Sequence, residues 1–351
     1  MPTCGLGTSR RGIQITRFRG GMRFPRRGDG RMEGERGRRV CSLRSSYEAG
    51  SRKDLAGSPD SGSPSQTQTS RSELGLPGGS SPIFGPNWGC DGVPSPPMKD
   101  SNPVPWPDSV RRVAFLFAMS AEGLGFAEAL GLEDRGRLDP DLASHWFEGR
   151  FSPVGDDRPE SEIEIAVAFA GTDPTHGVDQ IGTVPATLTA YKLLRRFKPD
   201  LLVNAGTCGG FHARGGRVGS LYLGAKAFLF HDRRIPLPGF DAFGLGRIPA
   251  DHPKALLGLL NAEPGVVSTG DSFTPTEAEL AFFETEGVHV KDMEAAAVAR
   301  LAASLQVPFL AVKAVTDLVD RPEPEEESFL RNLERVSAML QERLHRMLGW
   351  F

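Results

Sequence analysis

Cysteine is scarce in this sequence. Four occur in 351 residues, Cys4, Cys41, Cys90 and Cys208, with neither CxxC spacing nor a His/Cys cluster, which argues against a disulfide scaffold or a zinc framework. No run of about 18 apolar residues occurs, and the N-terminus lacks an apolar core followed by small residues, so neither a membrane span nor a secretory signal is expected. GxGxxG is missing, as is the Gly-Lys-Ser/Thr ending of a phosphate-binding loop. No internal repeat is apparent. Charge is present in both signs but is unevenly spread. Residues 1 to 100 carry 16 Lys and Arg against 9 Asp and Glu, a net +7, and the rest carry 25 against 35, a net −10, so the overall −3 hides two unlike parts.

The first part, residues 1 to 108, is rich in Arg, Ser, Gly and Pro. Stretches such as Ser58-Pro59-Asp60-Ser61-Gly62-Ser63-Pro64 bury too little apolar area to offset chain entropy. The expectation is a disordered extension. Its first 31 residues hold eight Arg and one acid, Asp29, a bias that fits an organelle transit peptide. The location expected is therefore the cytoplasm, or the plastid if the extension is such a peptide.

From Arg111 the character changes, and a single domain is expected over residues 109 to 351. Val113 to Ala118 is a short apolar run of the kind buried on both faces of a sheet. Similar runs at 163–170, 201–205, 221–230, 288–290 and 308–315 read as strands. Helical patterns fall at 184–197, 277–286, 295–305 and 325–348. This alternation predicts an α/β fold with a mixed, mostly parallel central sheet flanked by helices.

In open α/β sheets ligands sit beyond the carboxyl ends of strands, which selects four places: Met119-Ser120-Ala121-Glu122, Gly206-Thr207-Cys208-Gly209-Gly210, Lys291-Asp292-Met293-Glu294 and Thr316-Asp317. Glu294 precedes an alanine-rich helix, where the macrodipole favours its ionised form; it either accepts hydrogen bonds from a ligand or simply begins the helix. Asp317 ends an apolar strand, and desolvation would let it hold a proton. Strand alternation sets Lys313 and Asp317 on one face, so an ion pair between them is the competing reading. The glycine-rich stretch reads as a loop that lets backbone approach a ligand, with Cys208 a small buried thiol and not a nucleophile. Phe273 offers a flat face to a base, or packs in the core. Asp320 reads as a turn or cap residue. His231-Asp232-Arg233-Arg234 is too short and isolated to suggest nucleic acid.

Together these segments resemble the methylthioadenosine/S-adenosylhomocysteine nucleosidases of the purine nucleoside phosphorylase-like superfamily, and the plant-type methylthioadenosine nucleosidases above all. The similar stretches are Ala118 to Glu122, Val178-Asp179-Gln180-Ile181-Gly182-Thr183-Val184-Pro185-Ala186, Asn204 to Phe211, His231 to Pro236, Ser268 to Asp271, Lys291 to Ala295 and Lys313 to Asp320. They span about 111 to 348. The resemblance implies a nucleoside phosphorylase-like fold and hydrolysis of 5′-methylthioadenosine to adenine and 5-methylthioribose, a reaction of methionine salvage, with S-adenosylhomocysteine as an additional substrate. Glu122 would help activate water, Glu294 would hold ribose hydroxyls and stabilise positive charge, and Asp317 would protonate purine N7. Met293 would pack on the ribose, Phe273 would stack on adenine, the Thr207-Cys208-Gly209 backbone would line the site, and Lys313 would stand near the carboxylates.

The resemblance implies neither metal nor cofactor. It implies a homodimer in which a neighbouring subunit closes an apolar pocket for the 5′ substituent, with Arg234-Ile235-Pro236-Leu237-Pro238 as the shared wall. Two other readings compete. A phosphorylase on this fold should show arginines near the first strand and the glycine-rich stretch, where Glu122 stands instead. A storage or binding protein on this fold should have lost the acids, and Glu122, Glu294 and Asp317 are all present.

Overall fold

The computed structural model describes residues 103–107, 109–152 and 162–351. The expected disordered extension thus lies, apart from 103–107, outside the described residues. Strand β1 (Arg112–Phe117) forms the run expected of a doubly covered strand, buried at every position but the first. Its alternation divides the core: Val113, Phe115 and Phe117 belong to one apolar cluster, Ala114 and Leu116 to another, as a two-residue side-chain period requires. The first cluster is covered by α1 (Ser120–Ala129) and α7 (Glu325–Leu348) through Phe126, Val336, Leu340 and Leu344. The second is covered by α2 (Thr183–Phe197) and α6 (Ala295–Ser304) through Ala190, Leu193, Val298 and Ala302.

Helix α7 carries its own polarity signal, with Glu325, Glu326 and Glu327 in the first turn and His345 and Arg346 in the last, each sign placed where the macrodipole favours it. Helix α5 (Glu277–Glu286) starts with a capping box: the Thr276 hydroxyl accepts from the Glu279 N–H, and the Glu279 carboxylate accepts from the Thr276 N–H at 2.8 Å. Helix α1 had no clear pattern in the sequence. Gly123 and Gly125 interrupt it, and a Cβ on Gly123 would fall 2.4 Å from the Phe117 ring, so close approach to β1 explains the glycine.

The strands are β1, β2 (Glu133–Arg137), β3 (His145–Phe151), β4 (Ile163–Phe169), β5 (Leu201–Gly210), β6 (Leu221–Phe230), β7 (Ile248–Pro249), β8 (Glu263–Thr269), β9 (Val290–Asp292) and β10 (Phe309–Leu318). Their order is β10-β6-β8-β9-β5-β1-β4-β3-β2, with β7 on β6. Because β10 also pairs with β5, strands β5, β10, β6, β8 and β9 close into a ring.

The sheet is mixed, as expected, with five parallel and five antiparallel strand pairs among the described residues. β1 runs parallel to β4 and β5, β10 to β5, and β8 to β6 and β9. The β2–β3, β3–β4, β5–β9, β6–β7 and β6–β10 pairs are antiparallel. Helical crossovers account for parallel neighbours. The short hairpin β2–β3 and the return strands that close the ring supply the opposite sense.

A correction concerns the glycine-rich stretch. It is not a loop: β5 continues through Gly210, paired with β10 on one side and with β9 on the other. Ring closure gives these backbone groups partners that isolated Gly residues do not announce. Of the remaining short elements, α3 (Asp241–Leu245) and α4 (Lys254–Leu260) link β6, β7 and β8.

Candidate active site

The carboxyl ends of β1, β5 and β10, with β9 and the start of α6, enclose a cavity. Its walls include Glu122, Thr207, Cys208, Gly209, Phe273, Met293, Glu294 and Asp317, eight of the nine residues selected from the sequence. The ninth, Lys313, is behind the wall.

Glu122 is the third residue of α1 and is 3% exposed. One oxygen, Oε2, accepts the Met119 N–H at 3.1 Å, which anchors the helix start. The other, Oε1, accepts both the backbone N–H and the hydroxyl of Thr207, each at 2.7 Å. These bonds tie α1 to β5 and fix the carboxylate at the cavity. Asp179 adds an outside cap by accepting the Ser120 N–H at 3.1 Å.

Glu294 is the N-cap residue of α6, but its side chain makes no capping hydrogen bond. Asp292 accepts the Ala295 N–H at 2.8 Å, and the Thr269 hydroxyl accepts the Ala296 N–H at 2.9 Å. Glu294 is thereby released toward the cavity, where its Oε1 accepts the Gly182 N–H at 3.0 Å. Against the helix dipole, which favours the ionised form, burial, only partly offset by Lys313 and reinforced by the negative charges of Asp292 and Glu122, pushes its pKa up to about 7. Loss of water outweighs a half-charge at a helix end.

Lys313 stands near the carboxylates Asp292 and Glu294 but does not form the competing pair with Asp317 and is not among the residues that line the cavity. Its ammonium lies 2.7 Å from Asp292 Oδ2 and 3.9 Å from Glu294 Oε2, with the side chain 1% exposed. The cause is an irregularity in β10. Val315 faces Cys208 and Asp317 faces Gly209, so Thr316 is an extra residue in the register, and the alternation that would put Lys313 and Asp317 on one face is broken.

Asp317 is 1% exposed. Its Oδ1 accepts the Thr316 hydroxyl at 2.8 Å, while Oδ2 has no hydrogen-bond partner among the described residues. Burial pushes its pKa up to about 6, against the lowering effects of the Thr316 hydrogen bond and of Lys291. A buried carboxyl with a free oxygen is stable only if a proton or a ligand satisfies it. Cys208 fits the inert thiol expected, buried and with its pKa raised by desolvation. Asp320 is the cap expected, accepting the His212 and Ala213 N–H groups at 2.7 and 2.8 Å.

Several cavity residues escaped the sequence reading. Met119, Ile181, Lys291, Asp292 and Thr316 line it, and all lie within the quoted motifs, next to selected residues. Phe329 on α7 also lines it and meets the Phe273 ring edge-on at 5.5 Å. Nothing local marks Phe329, since the helix reads only as an amphipathic cover. Among the described residues no group of three or more His, Cys, Asp or Glu side chains is arranged to hold a metal ion.

Comparison with known proteins agrees with this architecture. Residues 161–349 match the Phosphorylase superfamily. A 5′-methylthioadenosine nucleosidase of Arabidopsis thaliana is 38% identical over 239 residues, covering 66% of this chain and 84% of the relative. A 5′-methylthioadenosine/S-adenosylhomocysteine nucleosidase of the same plant is 40% identical over 189 residues, covering 54% and 74%. The solved apo structure of Arabidopsis thaliana 5′-methylthioadenosine nucleosidase is similar with a TM-score of 0.63 at 37% identity, covering 69% of this chain and 96% of that one. The chain belongs to the phosphorylase superfamily and, within it, to the family of 5′-methylthioadenosine nucleosidases.

Proposed function

We propose that the cavity binds 5′-methylthioadenosine and hydrolyses its N-glycosidic bond, releasing adenine and 5-methylthioribose. The observation that carries this reading is Asp317, a buried acid with its pKa raised to about 6 and one oxygen free, at a cavity whose other acids are Glu122, Glu294 and the Lys313-paired Asp292. An N-glycoside cleaves through an oxocarbenium-like state that needs a protonated leaving group and a nucleophile on the sugar, a division of labour met by unlike carboxyls. Asp317 gives its proton to purine N7. Glu294 accepts ribose hydroxyls and stabilises the positive charge on the sugar. Glu122, oriented by Thr207, takes a proton from the attacking water. Phe273 stacks on the base and Met293 packs on the ribose, while the Thr207 to Gly209 backbone lines their edge.

Water is favoured over phosphate by the charge in the site. Glu122, Asp292, Glu294 and Asp317 line the cavity, and among the described residues that line it none is an arginine. Lys291 is paired with Glu325 and Lys313 with Asp292, so neither cation is available to a phosphate dianion. The test is adenine release from methylthioadenosine across a phosphate series, with the sugar product identified by mass. Turnover without phosphate and free methylthioribose are expected. A phosphate requirement, or a sugar 1-phosphate, would replace this reading with a phosphorylase; no adenine release at all would favour a binding protein. The same assay with S-adenosylhomocysteine addresses the wider specificity named for the second Arabidopsis relative.

A homodimer is part of the proposal. Val178, Ile181, Val184, Leu188 and Tyr191 are exposed along the segment leading into α2 and along the helix, and Ile181 also lines the cavity. A second subunit covering this strip, with Leu237 of the Arg234 to Pro238 loop at its edge, would close the 5′ pocket. Sedimentation equilibrium tests it. Residues 1 to 102 are read as lying outside the catalytic domain, the expected boundary at 108 moving upstream because Trp106 packs on the domain's core; the domain would act in the cytoplasm or, if the N-terminal segment is a transit peptide, in the plastid, and imaging a fluorescent fusion of the segment separates the two.

A further inference from the structure

The segment carrying Phe273 joins β8 to α5 without regular structure, and Ser272 and Thr274 on either side are exposed. Its ring has to be held over the cavity by other means. Lys291 supplies a hold on the backbone: its ammonium donates to the Phe273 carbonyl and sits 4.9 Å from the centre of the Phe273 ring. The same ammonium forms an ion pair with Glu325, lying 3.0 Å from its Oε2 at the start of α7, with the two side chains 7% and 10% exposed. Phe329, one turn further along α7, meets the Phe273 ring edge-on. The Phe273 segment and α7 thus converge on one buried cation carried by β9.

A cation here has a chemical cost. Lys291 and Glu325 are the charged groups that act on the Asp317 carboxyl from outside β10, the lysine favouring the carboxylate and the glutamate the acid. The other neighbours are the Thr316 hydroxyl on the same strand and, on β5, the Cys208 thiol, which burial keeps protonated. An unneutralised lysine would pull the proton from the acid that has to deliver it.

Resting on the nucleosidase reading above, we propose that Lys291 and Glu325 form a neutralised latch: Lys291 is a positioning residue that fastens Phe273 over the base, and Glu325 cancels the lysine's charge at Asp317. The two halves then have separable effects. Losing the lysine frees the Phe273 segment and makes Asp317 a weaker acid. Losing the glutamate leaves the lysine's charge uncompensated and makes Asp317 a stronger acid, deprotonated at lower pH.

The experiment compares the full-length chain with Lys291→Met, Glu325→Gln, the double variant and Lys291→Arg, measuring KM, and the alkaline limb of kcat from single-turnover adenine release. Lys291→Met should raise KM about tenfold, the loss expected for one charge-assisted hydrogen bond, and move the limb up by about one pH unit, the low end of a neighbouring charge's effect. Glu325→Gln should move the limb down. The double variant should return the limb toward wild type while KM stays high, and Lys291→Arg should keep the wild-type limb. Limbs that coincide in all variants, or that shift the same way in both single variants, would overturn the latch, as would an unchanged KM in Lys291→Met. If Lys291→Met does not fold, the lowered limb of Glu325→Gln against the unmoved limb of Lys291→Arg still decides it. Absence of adenine release from the wild type is a different failure, that of the nucleosidase reading itself.

Discussion

At the scale of single residues, three of the four carboxyl groups that line one cavity are told apart by what holds them. Glu122 is held by three donors, one from its own helix start and two from Thr207, and Glu294 by the Gly182 N–H, whereas Asp317 keeps one oxygen free. Asp317→Asn should therefore lower kcat by about 10²–10⁴, the range for a lost general acid, with KM much less changed; near-normal turnover would remove Asp317 from the mechanism. Glu122→Gln should slow hydrolysis sharply and remain indifferent to phosphate, which the adenine-release assay reads directly.

The same groups predict how stability depends on pH. Asp317 rises from an ordinary 3.8 to about 6 and Glu294 from 4.5 to about 7, so the native state binds more protons than the unfolded chain between these limits. Their contribution to stability is complete below pH about 4 and is lost as pH rises through about 6 and 7. Thermal unfolding of the ligand-free protein from pH 5 to 8 should show this loss, and the Asp317→Asn, Glu294→Gln double variant should show much less of it.

At the scale of elements, the segment before α2 holds two parts of the site in register. Asp179 caps α1, which carries Glu122, and Gly182 donates to Glu294. Asp271 in turn accepts the Thr183 N–H and hydroxyl, both at 2.6 Å. Gly182 has φ +104, and a Cβ there would lie 2.7 Å from an Asp271 oxygen. Gly182→Ala is expected to destabilise by about 1–3 kcal/mol and to lower kcat by displacing the donor to Glu294. Denaturant unfolding with single-turnover kinetics measures both; a variant of wild-type stability would show that the segment tolerates the strain. Most elements were legible beforehand. Helix α7 follows the expected 325–348, because a long amphipathic stripe bounded by Pro324 and acidic residues is a strong local signal. The extension of β5 through Gly210 and the irregularity at Thr316 were not legible, since both arise from strands that meet only when the ring closes.

At the scale of the whole molecule, the described chain begins with a tie across the domain. The Trp106 N–H donates to Asp251 at 3.2 Å, and its ring meets Trp350 edge-on at 6.2 Å. Residues up to 102 should be dispensable for folding and turnover, in keeping with their composition, whereas Trp106→Ala should lower the melting temperature by several degrees, as a loss of about 1 kcal/mol does in a domain of this size. A truncation at 102 that unfolds would move the domain boundary upstream.

What the sequence determined by itself is the set of apolar strands and helices and the acids at their ends, because hydrophobic period and strand-end position are local properties. It also exposed the choice between two roles for Asp317, acid or partner of Lys313, without resolving it. Only the tertiary structure removed the pairing with Lys313. The extra residue at Thr316 sends Lys313 to Asp292 and leaves Asp317 with a free oxygen. The evenly mixed sheet, Phe329 on the cavity wall and the neutralised cation beside Phe273 were decided in the same way, since each joins residues from strands and helices far apart in the chain.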